Sequence, residues 1–239
     1  MKEKDKFPRD FFPECKWSRK GFLRTRWNIT GVSFDLMNIH LFHDASNFTA
    51  MKEFPSCYTK TRQDALRYTL DRIDSDEYDN LPFFIFGDFN FRLNTGEVIK
   101  RITGDVSPQH VKHIDNGKLE RMLYKSKEND YPLLTIEKKV FDLTNQEDVF
   151  YLSHNHEWVS LSLFYSSNVL LQLLEHDNEV DMFKDRICEP AIKFPPSYPF
   201  TEDECGTTYM KTRCPAWCDR ILLSHSAKDM FVTHNVSYN

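Results

Sequence analysis

The chain has 239 residues, of which 40% are hydrophobic, so it can bury one sizeable core, and a single domain is the simplest organisation. Its formal net charge of −5 argues against a nucleic-acid partner, because such partners are held largely by Lys and Arg. The charged residues 1–6 resemble neither a secretory signal nor a membrane anchor. We therefore expect a cytoplasmic protein whose six cysteines are thiols.

The first half of the chain predicts a hairpin followed by a helix. Residues 21–27 and 32–41 are typical of strands, and residues 28–31 between them predict a hairpin turn. Residues 59–73 carry apolar side chains at helical spacing with charged residues between them, which predicts an amphipathic helix.

The second half of the chain gives weaker patterns. Residues 96–104 and 119–127 predict short helical or connecting pieces, and residues 140–143 begin a segment that we expect to be irregular. Residues 220–224 predict a final strand. Strands interleaved with helices favour an α/β fold class.

An apolar run at residues 83–86 stops abruptly at a glycine, a carboxylate and an amide, in the segment FFIFGDFN. The run predicts a strand covered on both faces. Gly87 would let the backbone turn tightly, and the period of two in an extended chain would place Asp88 and Asn90 on one side. Both could then contact one phosphate group or one water. The alternative is a strand followed by an ordinary Asx turn, since Gly, Asp and Asn are common in turns.

A second motif lies far along the chain at residues 213–223 (RCPAWCDRILL), preceded by FPPSYP at residues 194–199. Together with FFIFGDFNFRL at residues 83–93, these motifs resemble the inositol polyphosphate 5-phosphatases, a magnesium-dependent branch of the endonuclease/exonuclease/phosphatase superfamily. The chain looks most similar to the type I enzymes, which act on soluble inositol 1,4,5-trisphosphate. The resemblance runs from about residue 7 to about residue 229.

The resemblance implies a DNase I-like four-layer sandwich, in which two packed sheets are flanked by helices. On this basis residues 1–239 form a partial catalytic domain that is incomplete at both ends, with an unfamiliar insertion at about 150–172. The insertion is too short and too polar to predict a transmembrane helix. Its histidines, His154 and His156, are more typical of a solvated loop than of a metal site.

The resemblance also implies the catalytic residues. Asp88 matches the aspartate that deprotonates or positions the attacking water, and Asn90 matches the amide that orients water and phosphate. His40, in the segment NIHL at residues 38–41, matches the histidine that contacts the scissile phosphate. Taken by itself, a histidine at this position could equally be a buried core or sheet-edge residue.

Asp219 matches a buried carboxylate that orients a catalytic histidine. That histidine follows an Asp in the family, and no Asp-His pair occurs after Asp219. The implied cofactor is Mg²⁺, but the glutamate that binds it in the family has no counterpart before Gly21, where Glu14 lies in a poor strand sequence. The metal ligands of this chain are therefore unassigned.

Tyr198, Lys211 and Arg213 match the positions that bind the 4-phosphate of the substrate. The alternative is that Lys211 and Arg213 are two solvated charges before a turn. Many lipid-acting members carry a Lys where this chain has Pro199, so the expected partner is a soluble inositol phosphate, with no nucleic acid and no transmembrane segment. Association with the inner face of the plasma membrane and the oligomeric state stay open.

Three hypotheses for function result. The first is a magnesium-dependent inositol polyphosphate 5-phosphatase; the second is an inactive, truncated or mis-spliced form of that enzyme. The third is a nuclease of the same superfamily, which the acidic net charge disfavours. A zinc site built from Cys205, Cys214, Cys218 and His225 is a further, weaker alternative, because the paired short spacing of zinc cysteines is absent.

Overall fold

The computed structural model describes residues 2–8, 19–75, 80–144, 173–202 and 208–230; the predicted insertion at 150–172 lies outside them. The strands are β1 (Lys2–Lys6), β2 (Gly21–Ile29), β3 (Val32–His40), β4 (Phe83–Asp88), β5 (Gln109–Lys112), β6 (Leu119–Lys125), β7 (Pro132–Glu137), β8 (Val140–Leu143), β9 (Ile187–Cys188) and β10 (Asp219–Ser224). The helices are α1 (Asn47–Ala50), α2 (Cys57–Asp74), α3 (Thr95–Thr103) and α4 (His225–Lys228), with a 3-10 turn at Asp181–Phe183.

The larger sheet has the strand order β1-β2-β3-β4-β10-β9. Strands β3 and β4 run parallel, and the other neighbours are antiparallel. Helix α2 connects β3 to β4 and buries Leu66, Leu70 and Ile73 in one cluster with Met37 and Ile85 of these strands. The predicted hairpin, helix, Phe83 strand and final strand are confirmed.

The face of the larger sheet that lies opposite α2 is partly exposed to solvent. The prediction that the Phe83 strand is covered on both faces is wrong: Phe83 and Ile85 are buried, whereas Phe86 is 38% exposed. Near the hairpin turn, Trp27 and Ile29 are also exposed. Helix α2 covers one face of β4, and the described residues supply no equivalent cover for Phe86.

The smaller sheet is an antiparallel meander in the order β5-β6-β7-β8. Here two predictions are wrong: residues 119–127 contain strand β6 and no helix, and residues 140–143 form strand β8. Both strands pair with β7, and this pairing between sequence neighbours overrides the weak pattern of each strand alone. Their buried side chains pack in a second cluster with α3 and Trp217. The α/β class and two-sheet composition agree with the predicted fold.

A buried arginine joins α2 to the loops that follow the central strands. The Arg62 side chain is fully buried and donates two hydrogen bonds to Glu179, at 2.8 and 2.6 Å. It also donates to Asp44 Oδ1 at 2.5 Å and to the Phe42 carbonyl at 3.1 Å. Glu179 in turn accepts the backbone N–H of Arg92 at 3.2 Å. Although burial opposes the charged form, the negative charges of Glu179 and Asp44 raise the pKa of Arg62 above its ordinary value.

A second buried arginine fixes strand β10. Arg220 donates to Asp177 at 2.6 Å and to Glu189 at 2.6 and 2.5 Å. Burial raises the pKa of Asp177 to about 6, against the opposing influence of the Arg220 charge. These contacts bind β10 to the segment that contains β9, so the strand that carries Asp219 has a fixed position beside β4.

We expect Arg62→Met to lower the free energy of unfolding by about 3–5 kcal/mol, because it leaves Glu179 and Asp44 buried without their counter-charge. Urea unfolding followed by circular dichroism measures this change. The matched control is Arg67→Met on the same helix, where the exposed ion pair with Asp64 contributes less than about 1 kcal/mol. Equal losses in the two variants would contradict a structural role for the buried network.

Candidate active site

Three predicted catalytic residues lie at neighbouring strand ends. His40 of β3 is the register partner of Asp88 in the parallel pair with β4, and Asp219 of β10 is the partner of Asp88 in the antiparallel pair. His40 Nε2 lies 3.1 Å from Asp88 Oδ2. The sheet therefore brings together one imidazole and two carboxylates at the end of its central strands.

Asn90 joins this group through a turn. Its backbone has a φ of +52°, in the left-handed region, so the extended-chain argument for its direction was wrong although Asn90 does meet Asp88. The amide donates from Nδ2 to Asp88 Oδ2 and to the Leu41 carbonyl, both at 3.0 Å. The Asn90 backbone N–H donates to Asp88 Oδ1 at 2.9 Å. Both oxygens of Asp88 are thus held in place.

Gly87 has a different role from the predicted tight turn. It lies inside β4 as the partner of Ile39, with a φ of +134°. A Cβ at this position would lie 2.2 Å from the Ile39 carbonyl oxygen. The glycine therefore allows β3 and β4 to approach closely just before their catalytic side chains.

The surroundings of His40 favour its neutral form. Burial lowers the pKa of His40, and the nearby Lys20 charge lowers it further, while Asp88 acts in the opposite direction. Lys20 Nζ is within hydrogen-bonding distance of His40 Nε2. The prediction missed Lys20, which carries no motif; it reaches the site because the next residue, Gly21, pairs with His40 across β2 and β3.

Asp219 differs from the expected buried carboxylate. The residue is exposed at the edge of the group, where its backbone N–H donates to Ser197 Oγ at 3.0 Å. Partial desolvation of the carboxyl raises the pKa of Asp219, and the neighbouring Asp88 charge adds to this shift, against a hydrogen bond with Ser197. No second histidine contacts Asp219 within the described ranges, so its predicted orienting role stays a prediction.

Tyr198 is connected to this group through Arg92. The Arg92 guanidinium lies over the Tyr198 ring, 4.4 Å from its centroid, and donates to Asn90 Oδ1 at 2.9 Å. Arg213 donates to the Asp44 carbonyl at 3.2 Å and lines one small cavity together with Arg92. The prediction did not assign Arg92, although it lies inside the first motif.

Lys211 is placed differently from the other two predicted substrate-binding residues. Its ammonium group pairs with Asp142 of β8 at 2.7 Å, and both side chains are exposed. A role for Lys211 in binding phosphate stays a prediction, and it would require this ion pair to open.

The described residues contain two carboxylates that suit a magnesium ion. No group of three His, Cys, Asp or Glu side chains that could hold a metal ion occurs among them. Asp88 and Asp219 supply the carboxylate chemistry that Mg²⁺ prefers, and Mg²⁺ is commonly held by one or two carboxylates together with waters and substrate phosphates.

The zinc alternative also receives no support from the described residues. Cys214 and Cys218 are buried free cysteines, and neither belongs to a group of three potential metal ligands among the described residues. His225 is exposed on α4, and Cys205 lies outside the described residues.

Comparisons with known proteins agree with the motifs. The sequence profile of Endonuclease/Exonuclease/phosphatase family 2 matches residues 144–239. Inositol polyphosphate-5-phosphatase A of Homo sapiens is 47% identical over 232 residues, which are 96% of this chain and 52% of that protein. The chain is a homologue of the inositol polyphosphate 5-phosphatases. The resemblance inferred from the motifs is therefore confirmed.

The chain is also similar to two further proteins. The probable type I inositol 1,4,5-trisphosphate 5-phosphatase of Caenorhabditis elegans is 35% identical over 257 residues, covering 94% of this chain and 58% of that protein. The other is a solved structure of the 5-phosphatase domain of SPsynaptojanin, in complex with inositol (1,4)-bisphosphate and calcium ion. The match extends over 93% of this chain and 46% of the SPsynaptojanin chain, with a TM-score of 0.46 and 18% sequence identity. The chain spans about half the length of the curated relatives it matches.

We expect Lys20→Met to raise the pKa of His40, because it removes a positive charge that disfavours the imidazolium ion. The pH titration of the His40 ring signals by nuclear magnetic resonance measures this shift. Lys60→Met, on the exposed side of α2, serves as the control and should leave His40 unchanged. An unchanged His40 titration in Lys20→Met would show that the Lys20 charge does not act on the site.

Proposed function

We propose that this chain forms part of an enzyme that removes the 5-phosphate of soluble inositol polyphosphates such as inositol 1,4,5-trisphosphate, within calcium and phosphoinositide signalling. One observation carries the proposal: Asp88, held by Asn90, lies 3.1 Å from His40 in a chain that is 47% identical to an inositol polyphosphate-5-phosphatase A. The contact between Asp88 and His40 and the sequence similarity together support this function better than either does alone.

The arrangement suits hydrolysis of a phosphate monoester. The reaction needs a water in line with the leaving oxygen, an acceptor for its proton and positive charge near the phosphoryl oxygens. Asp88 is the proposed proton acceptor, with its carboxylate oriented by Asn90 and His40. His40 is the proposed contact to the scissile phosphate, and Lys20 adds a positive charge beside it.

Substrate selection is proposed to depend on Tyr198, Arg213 and, after its ion pair opens, Lys211. Arg213 offers a guanidinium that can bind a phosphate through two parallel hydrogen bonds. The hydrogen bond from the Arg213 guanidinium to the Asp44 carbonyl oxygen holds Arg213 next to the loop that follows β3. This contact supports a role for Arg213 in binding the 4-phosphate.

Magnesium is the proposed cofactor of the complete enzyme, on the strength of the family resemblance. Asp88 and Asp219 would supply carboxylates for Mg²⁺, with waters and the substrate phosphate as its other ligands. The alternative function is a catalytically inactive form of the enzyme, which the activity of residues 1–239 tests. A nuclease activity gains no comparable support from the curated relatives that the chain matches.

We propose a cytoplasmic location, with the inner face of the plasma membrane as the second possibility for the full-length protein, and no nucleic-acid partner. None of the described helices is long and apolar enough to cross a bilayer. Cell fractionation of the full-length protein tests the location.

In the full-length enzyme, we expect Arg213→Ala to weaken binding of inositol 1,4,5-trisphosphate by about 1.5–3 kcal/mol, the magnitude of a charge-assisted hydrogen bond. Lys211→Ala should have a smaller effect, because its charge is already paired with Asp142. Calorimetric titration measures both, with the exposed Arg101→Ala as control. Inositol 1,5-bisphosphate, which lacks the 4-phosphate, should bind the Arg213 variant and the parent protein alike; equal losses for both ligands would mean that Arg213 is structural.

We expect residues 1–239 alone to release negligible phosphate from inositol trisphosphate with Mg²⁺, and the full-length enzyme to be active. The family's metal-binding glutamate and the histidine that Asp219 would orient have no assigned counterpart in this chain, and the loss of each would lower the rate by ~10²-fold or more. In the full-length enzyme, Asp88→Ala should lower kcat by ~10²-fold or more, and Asp64→Ala on the exposed side of α2 should not. Robust turnover by residues 1–239 that disappears in Asp88→Ala would refute the inactive-form reading.

A further inference from the structure

Arg92 is an unusual residue for a protein interior. It is only 6% exposed, and its Nη2 donates to Asn90 Oδ1 at 2.9 Å. Its Nε and Nη1 have no hydrogen-bond partner in the part of the chain that the structure describes. Buried donors without partners oppose folding, so stability does not explain this guanidinium.

The contact between Arg92 and Asn90 decides how the Asn90 amide is oriented. An amide group has one acceptor oxygen and one donor nitrogen, whereas a guanidinium has donors only. Arg92 therefore requires the Asn90 oxygen to face it, which leaves the nitrogen to donate to Asp88 Oδ2 and the Leu41 carbonyl. With the amide reversed, its oxygen would face the carboxylate of Asp88.

The position of Arg92 is itself fixed from two sides. Its backbone N–H donates to the buried Glu179, which Arg62 holds in place. Its guanidinium lies over the ring of Tyr198, one of the predicted substrate-binding residues. The contacts thus run without a gap from Tyr198 through Arg92 and Asn90 to Asp88.

We propose that Arg92 is a positioning residue that sets the Asn90 amide for the reaction and connects this amide to the substrate-binding side through Tyr198. The inference deepens the proposed function and rests on it for its kinetic part. In this proposal Arg92 makes no contact with the reacting atoms. It acts by keeping the Asn90 side-chain nitrogen in position to donate a hydrogen bond to Asp88. Its loss should therefore lower kcat and leave KM nearly unchanged.

A double-mutant cycle in the full-length enzyme tests the kinetic part. We expect Arg92→Met to lower kcat by roughly 10- to 100-fold with KM changed less than about twofold, and Arg92→Lys to restore little, because a lysine cannot form the same stacked contact and directed hydrogen bond. In an Asn90→Ala background, Arg92→Met should have no further effect on kcat. Additive losses in the two backgrounds would overturn the proposal, since a merely structural residue acts independently of Asn90.

A second measurement does not depend on catalysis or on the Arg92→Met variant folding. In residues 1–239, the side-chain amide signals of Asn90 should lose protection from hydrogen exchange in Arg92→Lys and keep it in the control Arg101→Lys. Unchanged Asn90 signals in Arg92→Lys would overturn the positioning role. If the Asn90 signals change but the full-length enzyme does not hydrolyse inositol trisphosphate, the proposed function fails and the positioning contact stands.

Discussion

The candidate site depends on the buried contact between Arg62 and Glu179. Arg62 and Glu179 lie 117 positions apart in the chain and form an ion pair with two hydrogen bonds. Both side chains are fully buried. An ion pair at this depth stabilises the protein only when every remaining donor and acceptor is satisfied. Here the further partners are the Phe42 carbonyl, Asp44 and the backbone N–H of Arg92, which lie in the loops after β3 and β4. The requirement to satisfy one buried charge thus sets the relative position of the segments that follow β3 and β4.

The sheet supplies the other half of the arrangement. Parallel pairing of β3 with β4 places His40 beside Asp88, and antiparallel pairing with β10 adds Asp219 from a distant part of the chain. Gly87 allows the close approach of β3 and β4 that this register needs. The site is therefore a property of strand register, with Asn90 and Arg92 added by the turn that follows.

The sequence predicted the elements whose residue pattern lies within one short stretch of the chain. Helix α2 has a clear helical period, β4 is a continuous apolar run, the hairpin has two strand-like segments around a turn, and the two motifs identified Asp88, Asn90 and Asp219 before any geometry was known. Strands β6 and β8 were missed because their pairing with β7 outweighs their own weak pattern. Lys20 and Glu179 were missed because their contacts join positions that no spacing rule connects. The open side of β4 was missed because an apolar run alone does not show whether other elements cover both of its faces.

An inositol phosphate is proposed to bind at the ends of β3, β4 and β10. The most direct test is a nuclear magnetic resonance titration of residues 1–239 with inositol 1,4,5-trisphosphate. We predict saturable shifts at His40, Asp88, Asn90 and Arg213, and none at the β2–β3 hairpin turn, which lies about 30 Å away at the opposite end of two nine-residue strands. Shifts confined to the hairpin, or no saturable shift at the strand ends, would contradict the account.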